Sequence, residues 1–162
     1  LITYAQTFYG RPEANYETGN VLTYGAKSPF ELITCFETIE HVSEYRAALK
    51  NLWSLAAPGA TLLISSPNRP ITSPRAHRLT DPPANKFHTQ EFTVEELLAE
   101  LQSCGFEASR VFGQRQRRVY RPRFLNRAMN SLTNPNRRAS PVVTPVTSKS
   151  PRYMVIVAQK PR

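Results

Sequence analysis

Glu37, Glu40 and His41 stand close together directly after an apolar run of strand length, and His88 follows in a long, turn-rich stretch. Spacings of three and one bring Glu37, Glu40 and His41 to one side if the segment forms a turn of helix. Mixed carboxylate and imidazole donors suit a divalent cation such as magnesium, manganese or zinc, so Glu37, Glu40, His41 and His88 form a candidate metal set. An ordinary imidazole titrates near pH ~6.5 and accepts a proton at neutral pH, which makes His41 and His88 the candidate catalytic bases. The same residues have plainer uses. Glu37 can bond a loop amide, Glu40 can sit favourably near the positive end of a helix, and His41 can be a structural hydrogen-bonder. His77, between Arg75 and Arg78, is assigned no role.

The elements that must position these side chains read as an α/β pattern. Residues 30–38 (FELITCFET) are a β-branched and aromatic run expected to be a central strand. Ser43 is placed to cap a helix whose apolar positions Tyr45, Leu49, Leu52, Trp53 and Ala56 recur at helical spacing, with Pro58 and Gly59 as its stop. A buried strand follows at 60–66 (ATLLISS). Strand, helix and strand with short connections predict a crossover with parallel neighbours, and ligands bind outside the carboxyl ends of such strands, where Glu37, Glu40 and His41 fall. Residues 67–92 carry five prolines and read as a binding loop or lid. Thr93 and Glu96 predict a capping box, Phe92 and Leu97 a hydrophobic staple, and Gly105 a left-handed helix end with Phe106 packing back. Strands are expected at 14–17, 107–113 and 153–158, and a helix tail over the first ten residues.

The chain has 162 residues, enough for one domain, and a formal net charge of +9. Through Glu107 acidic residues outnumber basic ones by 12 to 8; from Ala108 onward there are 13 basic residues and none acidic. Such asymmetry suits a polyanionic contact or a solvated tail. Arg115, Arg117, Arg118, Arg121, Arg123 and Arg127 interleave with Tyr120 and Phe124, a composition fit for phosphate contacts and base stacking. A non-enzymatic module that holds nucleic acid or another polyanion through this segment is therefore the alternative function. No apolar stretch is long enough for a transmembrane segment, and no basic-then-apolar leader is present. Two separated cysteines, Cys35 and Cys104, read as buried reduced thiols of a cytoplasmic protein. There is no nucleophile elbow, Walker loop or glycine-rich dinucleotide fingerprint. The chain starts at Leu1 inside an expected helix, which suggests a piece of a longer protein.

FELITCFETIEHV at 30–42, AAPGATLLISSPNR at 56–69 and NKFHTQEFTVEELLAELQSCGF at 85–106, in that order, resemble the latter two-thirds of a class I S-adenosylmethionine-dependent methyltransferase. The likeness is nearest to the bacterial small-molecule, lipid and glycan enzymes and to the ubiquinone-type O-methyltransferases. It implies a Rossmann-like methyltransferase sheet, ordered 3-2-1-4-5-7-6 with strand seven antiparallel, here incomplete and lacking the first two strands. It divides the chain into a partial methyltransferase domain, 1–113 plus 151–162, and a basic Pro/Arg-rich insertion, 114–150, partly disordered. The resemblance implies S-adenosylmethionine as cofactor, with Phe36 and Glu37 lining its methionine side. Asn20 stands where relatives often carry an aspartate that bonds the adenine amino group. Some relatives bind a divalent metal through a Glu-x-x-Glu-His motif and a later histidine, positions matched by Glu37, Glu40, His41 and His88, with magnesium the candidate ion. The acceptor implied is a small molecule, lipid or glycan. Because the family's glycine-rich loop is not in the chain, the reading is a truncated fragment that binds cofactor poorly, with an exposed edge on its fourth-strand equivalent.

Overall fold

The computed structural model describes residues 2–114, 143–146 and 150–162. The arginines proposed for nucleic acid and most of the 114–150 insertion lie outside the described residues.

Alternation of β-branched and apolar residues builds one five-stranded sheet. In chain order the elements are α1 (Ile2–Tyr9), β1 (Phe30–Cys35), a 3-10 turn (Ile39–His41), α2 (Tyr45–Leu55), β2 (Ala56–Pro67), α3 (Arg69–Thr72), α4 (Val94–Ser103), β3 (Glu107–Gln114), β4 (Val143–Pro145) and β5 (Tyr153–Gln159). The strand order is β1-β2-β5-β3-β4. β1 and β2 are parallel, as the crossover through α2 requires, and β5 runs antiparallel to both β2 and β3. The first four strands of that order correspond to the 4-5-7-6 half of the expected sheet, reversed strand included. The three-residue β4 was not expected; it pairs with the end of β3.

α2 and α4 lie side by side on one face and close the core. Leu49 and Leu52 of α2, Leu97 and Leu101 of α4, and Met154 and Ile156 of β5 are all buried there. The Trp53 ring meets Phe106 edge-on at 5.0 Å, and Tyr45 meets Phe92 in the same way. Between the helices the Tyr45 hydroxyl donates to Glu100, and Arg46 forks onto the same carboxylate. The bonds from Arg46 hold the Glu100 carboxyl below its ordinary range, whereas burial and Glu100 push the Tyr45 phenol up to about 12.

α4 begins and ends as its residues dictate. The Thr93 side chain accepts from Glu96 N–H while the Glu96 carboxylate accepts from Thr93 N–H. At the other end Gly105 takes φ +99°, the Phe106 amide donates to Leu101 and the Gly105 amide to Gln102. This pair of bonds is a Schellman motif.

Four expectations need correction. Residues 14–17 are not a strand, because among the described residues no strand offers them backbone partners. The residue run at 30–38 forms a strand only to Cys35, and among the described residues β1 is the sheet edge rather than a central strand, with Phe30 and Leu32 exposed. Its unpaired side has no covering element there. The N-cap of α2 is Glu44 instead of Ser43 and makes no side-chain cap bond, because the chain leaves the 3-10 turn extended at Val42. Finally, α2 stops at Leu55, and Pro58 and Gly59 form an irregularity inside β2. There Gly59, at φ +81°, donates to the Lys160 carbonyl, and the Lys160 ammonium binds the Trp53 and Ala56 carbonyls at the helix end. Both cysteines are free, but only Cys35 is buried, and Cys104 is partly exposed. Among the described residues no helix is long and apolar enough to cross a membrane.

Two stability outcomes follow from this packing. A Cβ on residue 105 would lie 3.0 Å from the Trp53 ring in a left-handed backbone. Gly105→Ala should therefore cost at least about 1–2 kcal/mol in urea unfolding. Arg46 is two-thirds exposed, so Arg46→Ala should lower stability only slightly at neutral pH. Because the folded pKa of Glu100 is depressed, that contribution is present above the unfolded value and is lost as pH falls through the folded one. Unfolding curves of wild type and variant should converge on acidification.

Candidate functional site

The carboxyl end of β1 turns sharply. Glu37 adopts φ +46°, a left-handed conformation that costs a non-glycine residue about 1–3 kcal/mol. Ser65 on β2 over-determines it, since its hydroxyl accepts from the Glu37 amide at 3.0 Å and donates to the Glu37 carboxylate at 2.8 Å. The chain then closes the 3-10 turn that carries Ile39, Glu40 and His41.

The turn is held from outside by residues 89 and 90. The Thr89 amide and hydroxyl both donate to the Glu40 carbonyl, and the buried Gln90 amide group donates to the Ile39 and Val42 carbonyls. This clamp sets His88 beside His41, with ring centroids 4.8 Å apart and planes nearly perpendicular. His41 Nδ1 donates to the Phe87 carbonyl at 2.8 Å, and a carbonyl only accepts, so in the neutral ring Nε2 carries the lone pair. That Nε2 is 3.9 Å from a Glu40 carboxylate oxygen.

Glu40, His41 and His88 each bring one possible ligand atom within 4.8 Å of the others. Glu40 is 1% exposed, and its Oε2 is buried without a hydrogen-bond partner. Burial pushes its carboxyl above the ordinary range, a rise that the nearby His41 and His88 oppose. Glu37 does not join them, because Ser65 turns its carboxylate aside. Phe36 is half exposed next to it. Asn20 is distant in sequence and locally engaged: its Oδ1 accepts from the Leu22 amide, and Asn51 of α2 pins the same turn through the Val21 and Tyr24 carbonyls.

Sequence reasoning passed over Asn85, Phe87, Thr89, Gln90 and Glu91, which orient the cluster. Their only signal was position, immediately around His88 and just before a strong helix cap.

The chain matches the methyltransferase domain family over residues 5–111. It belongs to that family. A probable S-adenosylmethionine-dependent methyltransferase of Mycolicibacterium smegmatis is 32% identical over 83 residues, covering 51% of this chain and 31% of that protein. A ubiquinone biosynthesis O-methyltransferase of Xanthomonas euvesicatoria is 30% identical over 137 residues, covering 76% of this chain and 54% of that protein. The chain thus spans about a third to a half of these relatives' length. In fold it is similar to the N-methyltransferase NodS of Bradyrhizobium japonicum bound to S-adenosylhomocysteine, with TM-score 0.57 and 12% identity over 98% of this chain and 60% of that one. That likeness concerns the Rossmann-like architecture alone.

Gln90→Leu tests the clamp. Removing the amide strands the Val42 carbonyl and leaves the Ile39 carbonyl only its bond from the Val42 amide, and it should destabilise the chain by about 1–3 kcal/mol in urea unfolding. The ring-current shifts of His41 and His88 in proton NMR should collapse toward random-coil values as the rings separate.

Proposed function

We propose that the chain carries the acceptor side of an S-adenosylmethionine-dependent methyltransferase for a small molecule, in which Glu40, His41 and His88 hold a divalent cation near an oxygen acceptor. The single observation that carries this reading is the buried, unpartnered Glu40 oxygen beside two imidazoles. An orphaned buried carboxylate oxygen costs free energy that a ligand would recover. The donor set of one carboxylate and two imidazoles fits manganese or zinc better than magnesium, which prefers oxygen and water. A bound cation would lower the pKa of a coordinated hydroxyl.

The remaining roles belong to the chain's own residues. His41 and His88 offer bare nitrogens for a cation or for the acceptor proton, and the 89–90 clamp keeps them together. Phe36 supplies an aromatic surface on the methionine side of the cofactor, where the positive sulfonium favours a ring face. Glu37, locked by Ser65, shapes the same crevice. Asn20 would bond the adenine amino group through the second lone pair of Oδ1. Methyl transfer itself needs alignment of nucleophile, methyl carbon and sulfur more than any one side chain. The bare edge of β1 supports weak cofactor binding by the 162-residue chain alone. A lipid or glycan acceptor is compatible with the exposed Phe36 and Phe87 at the mouth.

Calorimetric titration tests this reading. Manganese should bind saturably and at least about tenfold more tightly than magnesium, and Glu40→Ala or His41→Ala should abolish the heat. S-adenosylhomocysteine should bind weakly in the same chain. Absence of manganese binding by the folded chain, or binding unchanged in Glu40→Ala, overturns the cation assignment.

A further inference from the structure

Resting on that cation reading and deepening it, we propose that Glu91 is the positioning residue that keeps the His88 proton on Nδ1, so that Nε2 is the atom His88 offers at the site. Glu91 is 1% exposed and lies on the segment entering α4. Its Oε1 is 2.6 Å from His88 Nδ1, and its Oε2 accepts from the Thr72 hydroxyl of α3. Its own carbonyl accepts from the buried Arg69 guanidinium at 2.8 Å, whose other nitrogen is paired with Glu96. The carboxylate is thus held by Thr72 of α3, while Arg69 ties the Glu91 backbone to the capping box of α4.

The proton assignment is over-determined. Asn85 Oδ1 accepts from the Phe87 amide at 3.1 Å, which fixes the orientation of the Asn85 side chain. Its Nδ2 therefore faces His88 Nε2, at 2.8 Å. An amide nitrogen only donates, so Nε2 must accept and the proton must sit on Nδ1, from which Glu91 accepts a hydrogen bond. His41 reaches the same state through the Phe87 carbonyl. Both imidazoles are consequently anchored by Nδ1, one by a carboxylate and one by a backbone carbonyl, and when neutral carry no proton on Nε2. These are the two kinds of partner that orient histidine ligands and raise their basicity.

A buried carboxylate is costly unless fully bonded. Arg69 already satisfies Glu96 and the Glu91 backbone, so packing alone does not call for an acid at position 91. The acid supplies a charged acceptor for the imidazole N–H, a stronger partner than a neutral carbonyl. Asn85 is the provisional partner of Nε2 and must withdraw when that nitrogen is used. Glu91 remains.

Long-range proton–nitrogen NMR of the 162-residue chain labelled with 15N-histidine, under alkaline conditions that keep imidazoles neutral, reads the tautomer directly. In wild type His88 should be protonated at Nδ1; protonation at Nε2 overturns the proposal without any variant. In Asn85→Ala the Nδ1 form should persist, held by Glu91 alone, and a switch to Nε2 overturns the proposal. Adding Glu91→Leu to that variant should move the proton to Nε2 and weaken manganese binding roughly 10- to 100-fold. Should the double variant fail to fold, Asn85→Ala still decides. If wild type takes up no manganese yet the tautomers follow this pattern, the cation reading fails and the role of Glu91 stands. If manganese binds but Asn85→Ala loses the Nδ1 form, the role of Glu91 fails and the cation reading stands.

Discussion

The candidate site depends on a small set of hydrogen bonds that the 3-10 turn cannot make for itself. A single turn leaves its carbonyls pointing outward, and those of Ile39, Glu40 and Val42 are answered by Thr89 and Gln90 from the far side of a long connection. A buried carbonyl without a partner costs about 1–3 kcal/mol, so these bonds hold the two segments in one arrangement. The histidines meet because each is adjacent to a residue of that contact.

The long connection can supply this clamp because its ends are tied. Asn68 and Phe92 form an isolated parallel bridge, the Arg69 amide donates to the Phe92 carbonyl, and Asn68 bonds the backbone at Pro151 and Arg152 just before β5. Residues 67–92 are therefore a closed excursion with a short base. That base is attached to the middle of the sheet, since β5 pairs with both β2 and β3. The last strand of the chain thereby supports the geometry at the end of the first. Loop closure entropy grows slowly with length, so a long excursion with a tied base is inexpensive to order.

Membership of the methyltransferase domain family and the reversed fifth strand agree with each other, and they come from different kinds of observation. The fold itself does not choose an acceptor. The chemistry at the end of β1 is local: a strained glutamate held by a serine, a buried glutamate with one oxygen unmatched, and two histidines each bonded through Nδ1.

Local features were readable from sequence wherever a few adjacent residues decide the outcome. The capping box of Thr93 and Glu96, the left-handed end at Gly105, the strand-helix-strand crossover and the closing strand of alternating burial all follow from propensity, period and short-range bonds. So did the grouping of Glu40, His41 and His88 as residues worth watching. Tertiary structure alone decided what lacks a local signal. Residues 14–17 have strand composition, but a strand exists only where a partner accepts its backbone bonds. Glu37 had the same spacing credentials as Glu40, yet Ser65, 28 residues away, claims its carboxylate. Gln90 and Glu91 look like ordinary polar residues ahead of a helix, and their importance lies in which carbonyls and which nitrogen they face. Sequence determines the elements because their energetics are short-range; it leaves open the pairing of groups brought together by burial, because those partners are chosen by the packed sheet and not by spacing along the chain.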